Sequence, residues 1–283
     1  MPVRVTKLQE MKQAGDRIPC ITAYDHPTAR LADAAGIPLI LVGDSLGNVV
    51  LGHASTVHVT MDDMVRHTQA VVRGATNALI VADMPFMSYQ ASVEEGVRNA
   101  GRLVQEAGAH AVKLEGGKAI AETVRRIVTA GIPVLGHLGL TPQSVNQLGG
   151  YRVQGRTLPQ AQELLEDAEA LAAAGVFGVV LEGVPGPLAE VVTKRLPVAT
   201  IGIGAGAGCD GQIQVLHDVL GLGMRQPKHA KRYADLDQVI EQAIAAYAGE
   251  VRDGQFPGAE HTTDIDNAVL RELLGGVQST VGD

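Results

Sequence analysis

The sequence predicts a closed α/β barrel of eight βα units, and three observations carry that expectation. Six short apolar runs each give out in a polar or acidic residue: 18–24 into Asp25, 38–43 into Asp44, 78–82 into Asp83, 110–114 into Glu115, 133–136 into His137, and 176–181 into Glu182. Helix-length segments separate most of these runs, and strands alternating with helices imply parallel βαβ units. The length of 283 residues suits one such barrel with some decoration, since the fold typically takes about 250. In a closed barrel the strand C-termini share one rim, where active sites are built. One acid after one strand would mean little; a series of them describes a polar site.

The elements follow in order. A first strand spans about 18–24 and its helix 27–35, with Pro27 well placed in a first turn. The second strand covers 38–43. A long loop, 45–59, precedes a helix opened by the cap-like Thr60-Met61-Asp62-Asp63. The third strand is about 78–82, and its helix 92–107 begins with the capping-box pattern Ser92-Val-Glu-Glu95. The fourth strand is 110–114 with a helix at 118–130, and the fifth is 133–137. A second long loop, 139–158, leads to a helix at 159–174 rich in Ala, Leu and Glu. The sixth strand is 176–181, a short helix lies near 187–194, and strands seven and eight fall at 197–202 and 213–217. Stretches at 232–252 and 266–275 read as helical. Residues 1–283 are thus expected to form one domain, with a C-terminal helical extension from about 232.

Composition narrows the function. Hydrophobic residues make up 46%, but there is no Trp and Phe occurs three times, so Ala, Val and Gly must fill the interior. A formal charge of −8 without a basic cluster speaks against nucleic acid. Cys20 and Cys209 show no metal, redox or disulfide spacing, and Cys20 reads as a small buried hydrophobe. The N-terminal segment lacks a signal peptide's apolar stretch, and no run reaches the ~18 apolar residues of a membrane span. The expectation is a soluble, cytoplasmic protein that touches no membrane.

Side chains two apart on a strand share a face. Lys113 and Glu115 should therefore point together, as should Val42 with Asp44, Val81 with Asp83, and Val180 with Glu182. Asp44, Asp83 and Glu115 end consecutive strands, so their carboxylates can converge on one ion. Three uncompensated carboxylates would raise one another's pKa, and an all-oxygen set favours Mg²⁺. Asp44 alone could equally cap the turn that follows it. Lys113 either neutralises these acids or anchors an anionic group. His137 is a pocket residue or a satisfied core histidine. Glu182 stands apart, suited to proton abstraction. The run Gly202-Ile-Gly204-Ala-Gly206-Ala207 fits a dinucleotide fingerprint poorly; close backbone approach to a ligand or to the barrel end suits it better. A cation, an anion anchor and a base together describe enolisation of a 2-oxo acid, with Mg²⁺ stabilising the charge on the keto oxygen. The electrophile is not readable from these residues.

The same residues carry a resemblance. Ile-Thr-Ala-Tyr-Asp (21–25), Val-Gly-Asp-Ser-Leu-Gly (42–47), Ala-Asp-Met-Pro-Phe (82–86), Val-Lys-Leu-Glu-Gly-Gly (112–117), Gly-His-Leu-Gly-Leu-Thr-Pro-Gln (136–143) and the Gly-rich run through Gln212 stand in family order. Between about residues 7 and 261 the chain resembles the ketopantoate hydroxymethyltransferase (3-methyl-2-oxobutanoate hydroxymethyltransferase) family. The resemblance implies a (βα)8 TIM barrel of the phosphoenolpyruvate/pyruvate-binding type. It also implies transfer of a hydroxymethyl group from 5,10-methylenetetrahydrofolate to 3-methyl-2-oxobutanoate, giving 2-dehydropantoate through a Mg-stabilised enolate. By position Asp44, Asp83 and Glu115 match the Mg²⁺ site, and Ser45 and Lys113, with Asp44 and Asp83, match the 2-oxo acid contacts. Glu182 matches the proton acceptor, while His137 and Tyr24 are expected in the pocket without an assigned role. No folate-binding residue follows. The family implies a large homo-oligomer, commonly a decamer. Two departures, Pro227-Lys-His-Ala-Lys231 and a longer acidic tail after His261, are expected to lie outside the pocket. A carbon–carbon lyase or phosphonomutase would need a reactive Cys loop, which Cys20 and Cys209 do not supply. A non-catalytic relative would be expected to lack Glu182 or a metal acid.

Overall fold

The structure, a computed structural model, describes residues 2–223 and 226–277. These fall into two compact units that meet in sequence between Ala234 and Asp235. Residues 278–283 of the acidic tail lie outside the described residues.

In the first unit eight parallel strands close into a barrel in sequence order. They are β1 (Ile18–Thr22), β2 (Leu39–Val42), β3 (Leu79–Asp83), β4 (Ala111–Glu115), β5 (Val134–Gly139), β6 (Gly178–Glu182), β7 (Ala199–Ile203) and β8 (Gly211–Gln214). Closure comes from β8 pairing with β1, Ile18 opposite Gly211 and Ile21 opposite Gln214. The branched runs suit strands buried on both faces. Alternation separates two cores: Leu39, Leu41, Leu79, Val81, Leu135, Val180, Ile201 and Ile213 fill the barrel interior. Ile40, Val42, Ile80, Ala82, Val112, Leu114 and Leu181 face the helices. Cys20 joins the interior set as the small hydrophobe expected.

Helices α1 (Val5–Ala14), α2 (His26–Ala34), α3 (Leu46–Val49), α4 (Met61–Gly74) and α5 (Val93–Gln105) precede β4. After it come α6 (Ala121–Thr129), α7 (Val145–Leu148), α8 (Leu158–Ala174), α9 (Gly186–Arg195) and α10 (Leu216–Leu220). Asp25 caps α2 by accepting from Thr28 N at 2.8 Å, and Thr60 and Asp63 form a full capping box on α4. At α5 only the Ser92 half of the expected box forms, its hydroxyl accepting from Glu95 N at 3.1 Å. With few aromatics the outer layer packs backbone closely: a Cβ on Gly74 of α4 would sit 2.3 Å from His26 O.

The first unit departs from the sequence reading at α1 and at β8. Helix α1 was not foreseen. It adds the fully buried Leu8 to the interior core, and Gln9 Nε2 and Lys12 Nζ reach Pro197 O and Asp210 at the N-terminal ends of β7 and β8. It therefore plugs the end of the barrel opposite the rim. Strand β8 ends at Gln214, earlier than expected, because Leu216 starts α10 and donates its N–H to Thr22 Oγ1 at 3.0 Å. As read from the sequence, no helix lies between β7 and β8.

The second unit contains α11 (Leu236–Arg252) and α12 (Asn267–Val277). Tyr247 stacks edge-on against Phe256 at 5.5 Å, and Phe256 lies 5.1 Å from His261. No helix among the described residues is long and apolar enough to cross a membrane.

Asp33, near the end of α2, accepts from the backbone of Thr76, Asn77 and Ala78 at 3.1, 3.0 and 2.7 Å, fixing the entry into β3. Partial burial raises this carboxyl, but the three backbone donors prevail and hold it below its ordinary value. A depressed carboxylate contributes stability above its unfolded pKa of about 3.9 and loses it as pH falls through the lower folded value. Asp33→Ala should therefore be less stable than the parent protein near neutrality. The gap should close with acidification below about pH 4; urea unfolding at a series of pH values would show it, and a gap independent of pH would refute the assignment.

Candidate active site

Barrel register brings the strand-end residues together. Asp83 pairs with Lys113 across β3 and β4, Glu115 with His137 across β4 and β5, and Gly139 with Glu182 across β5 and β6. Gly139 has φ 93°, and a Cβ there would lie 2.3 Å from Glu182 O. Only glycine lets β5 turn away while Glu182 keeps its place.

The first four of these side chains are almost fully buried and form one charge network. Lys113 Nζ lies 3.0 Å from Asp83 Oδ1 and 3.5 Å from Glu115 Oε1. His137 Nδ1 stands 3.1 Å from Glu115 Oε1, and its Nε2 is 3.3 Å from Glu182 Oε2, though without hydrogen-bond alignment. Burial and Lys113 pull the His137 imidazole down, but Glu115 and Glu182 more than offset them, so it titrates at about 9. At neutral pH His137 thus carries both protons, and Nδ1–H donates to Glu115. Lys113 Nζ, 3.1 Å from the same Nδ1, turns its own protons to the carboxylates. Burial raises Glu115, yet Lys113 and His137 draw it to about 2. Lys113 is pulled down by burial and pushed further up by Asp83, Glu115 and Asp44.

Asp44 reaches the site by a different route from the one periodicity predicts. Val42 faces the helices, so Asp44 does not share an inward face with it. Strand β2 ends at Val42, the inward position falls to Gly43, and the chain then turns. Asp44 N donates to Asp83 Oδ2 at 3.0 Å, while its carboxylate accepts from Gln143 Nε2 at 2.9 Å. Burial first, then Asp83 and Glu115, push the Asp44 carboxyl well above its ordinary range. Ser45 Oγ lies 2.8 Å from Tyr24 OH, which also accepts from Thr22 Oγ1 at 2.8 Å.

Gln143 went unassigned in the sequence, although it closes a motif that was noticed. Its backbone N–H donates to Glu115 Oε2 at 3.0 Å, its amide to Asp44 and Met84 O, and its Oε1 accepts from Tyr89 OH at 2.8 Å. Its place at the end of the Gly136–Gln143 motif was the available signal.

Asp44, Ser45, Asp83, Lys113, Glu115, His137 and Glu182 form the floor of a cavity of about 900 Å³. Both long loops wall it, with Asn48 and Thr56 from one and Tyr151 and Arg152 from the other. Tyr24 is buried behind Ser45 and is not part of the lining. Pro227, Lys228 and His229 also line it, which corrects the expectation that this divergent segment lies outside the pocket. The segment follows β8 and α10 and so returns over the rim. Neither cysteine lines this cavity; Cys209, with Gly204 and Gly206, lines a second one on the β7–β8 side.

Among the described residues no three His, Cys, Asp or Glu side chains are gathered closely enough to hold a metal ion, and Lys113 Nζ sits against Asp83 and Glu115. The donor set nonetheless suits a hard divalent cation. It is all oxygen, and burial, then the neighbouring carboxylates of Asp83 and Glu115, push Asp44 up.

Comparison with known proteins agrees with this geometry. The ketopantoate hydroxymethyltransferase family model matches residues 2–259. The 3-methyl-2-oxobutanoate hydroxymethyltransferase of Chloroflexus aurantiacus is 58% identical over 276 residues, covering 97% of this chain and 98% of the relative. The enzyme of the same name from Moorella thermoacetica is 59% identical over 261 residues, 92% of this chain and 97% of its own. Solved structures of similar fold include phosphonopyruvate hydrolase, with TM-score 0.59, 13% identity and 99% of each chain covered. Another is 2,3-dimethylmalate lyase, a PEP mutase/isocitrate lyase superfamily member, with TM-score 0.58, 17% identity and 100% of each chain covered. At such identities they speak for the fold alone, a phosphoenolpyruvate/pyruvate-type (βα)8 barrel. The family match and the curated relatives, which span nearly the whole chain, settle the rest: this chain is an enzyme and belongs to the ketopantoate hydroxymethyltransferase family.

Proposed function

We propose that this enzyme transfers the one-carbon unit of 5,10-methylenetetrahydrofolate to C3 of 3-methyl-2-oxobutanoate, giving 2-dehydropantoate for pantothenate and coenzyme A synthesis. The observation that carries the reading is the division of one cavity floor into two parts. Asp44, Asp83 and Glu115 form an all-oxygen set on one side, and Glu182 stands on the other with His137 between them.

In this reading Lys113 and Ser45 hold the carboxylate of the 2-oxo acid, and Asp44, Asp83 and Glu115 hold Mg²⁺. When bound, that ion supplies a Lewis acid for the charge that develops on the keto oxygen. Glu182 removes the C3 proton. The His137 imidazolium keeps the Glu182 carboxylate turned toward the cavity and, through Glu115, is itself held in place. Leu140, Val180 and Ile203 line the cavity around Glu182 and keep water from the reacting carbon. C3 then bonds to the methylene carbon of the donor, one water enters overall, and tetrahydrofolate leaves. The family reading extends to a cytoplasmic homo-oligomer, a decamer.

The test is formation of 2-dehydropantoate from both substrates, with and without Mg²⁺. Product should require the folate and fall to background when the metal is chelated; folate-independent turnover would sink the proposal. Glu182→Gln should keep its affinity for the 2-oxo acid but lose about 10²–10⁴-fold in turnover, the usual worth of a positioned base. Exchange of the C3 proton with solvent deuterium should fall in step, and unchanged exchange would move the base to another residue.

Lys113→Met leaves the buried carboxylates facing one another. It should unfold at a lower temperature than the parent, by less when Mg²⁺ is present, as expected when a buried pair loses one partner. At saturating Mg²⁺ it should need roughly tenfold or more 2-oxo acid, for want of a charge-assisted hydrogen bond, with its folate requirement unchanged. Unchanged 2-oxo acid affinity in the folded variant would leave Lys113 a charge balancer alone.

A further inference from the structure

The opposite wall of the main cavity, built by β8 and α10, carries polar groups that the reaction above does not use. Asp218 and Gln214 both line the cavity. Among the described residues the half-buried Asp218 carboxylate has no hydrogen-bond or ion-pair partner. Burial pushes it above its ordinary range, with only the charge of His229 pulling it back. Gln214 Oε1 is buried and likewise without a partner, while its amide nitrogen lies 3.5 Å from His229 O. Two acceptors thus stand on one wall with nothing to accept from, at a cost that a ligand's donors would remove.

The 2-oxo acid is not that ligand, because it offers only acceptor oxygens and Lys113 serves the far end. The complement of this wall is a flat edge of adjacent N–H donors. A pterin ring presents one, its N3–H beside the 2-amino group, and a carboxylate accepts two parallel N–H bonds in a bidentate pair. Apart from Lys113, Arg152 and Lys228 are the arginine and lysine side chains of the lining, both exposed, and they suit the anionic tail of the same molecule. We infer that Asp218, assisted by Gln214, determines specificity for the one-carbon donor by binding the N3–H and 2-amino edge of its pterin ring. The inference rests on the folate reading above.

Asp218→Asn keeps the size of the side chain but replaces one acceptor oxygen by a donor that opposes the 2-amino group. Calorimetric titration with tetrahydrofolate should show binding weakened roughly 10- to 100-fold, the range for a lost charge-assisted pair. Gln214→Leu should weaken it by about threefold to tenfold, as for a neutral hydrogen bond. Deuterium exchange at C3 of 3-methyl-2-oxobutanoate with Mg²⁺, which needs no folate, should stay within about twofold of the parent in both variants. Unchanged tetrahydrofolate affinity in Asp218→Asn would overturn the subsite alone, and so would exchange that falls as far as binding does. A parent protein that exchanges the proton but binds no tetrahydrofolate would overturn the donor reading and the subsite together.

Discussion

Everything at the rim depends on burying three carboxylates, with a fourth at their edge, around one lysine and one histidine. Parallel strands deliver all their C-termini to one end of the barrel, so acids that lie far apart in sequence must be neutralised together. Lys113 meets Asp83 and Glu115, and His137 spans Glu115 and Glu182. The compensation is incomplete, and its effect is visible in Asp44, whose carboxyl is pushed up by burial and then by its acidic neighbours. A site in this state has an appetite for positive charge. The same acids that would hold a cation also keep Lys113 and His137 charged.

Two ends of the barrel divide the labour. At the closed end α1 seats Leu8 in the interior core, and Lys12 pairs with Asp210 at 2.8 Å. At the open end the interior is polar, and long loops replace packing. Stability is concentrated where no chemistry occurs, which lets the rim carry buried charge that would otherwise favour unfolding.

Much of this was legible in the chain. Short branched runs ending in acids revealed the strands and the rim, and the period of two correctly turned Lys113, Glu115, Asp83 and Glu182 inward. It failed for Asp44 because β2 stops at Val42, and alternation says nothing once a strand has ended. Helix α1 escaped notice because its buried side depends on a barrel end that exists only after eight strands have closed. Gln143 and Tyr89 were hidden for a related reason. A neutral polar side chain carries no pattern of its own, and its role appears only when a distant carboxylate comes within 3 Å or so of it. The divergent 227–231 segment was not legible as part of the pocket, because only the turn of the chain after α10 brings Pro227, Lys228 and His229 back to the cavity.

Gln143 also divides the loop that it opens. Its backbone and side chain are fastened to Glu115, Asp44 and Met84 O, so the root of the 139–158 loop belongs mechanically to the cavity floor. The far part, with left-handed Gly149 and Gly150 before Tyr151 and Arg152, is fastened to backbone instead, Gln154 N donating to Gly183 O at 2.9 Å, and borders the mouth. Root and tip are therefore separable as units of variation. Lengthening or trimming the tip would change what the cavity admits, whereas the root is constrained by the same electrostatics as the acids themselves. A barrel built this way can alter its clientele without disturbing its charge.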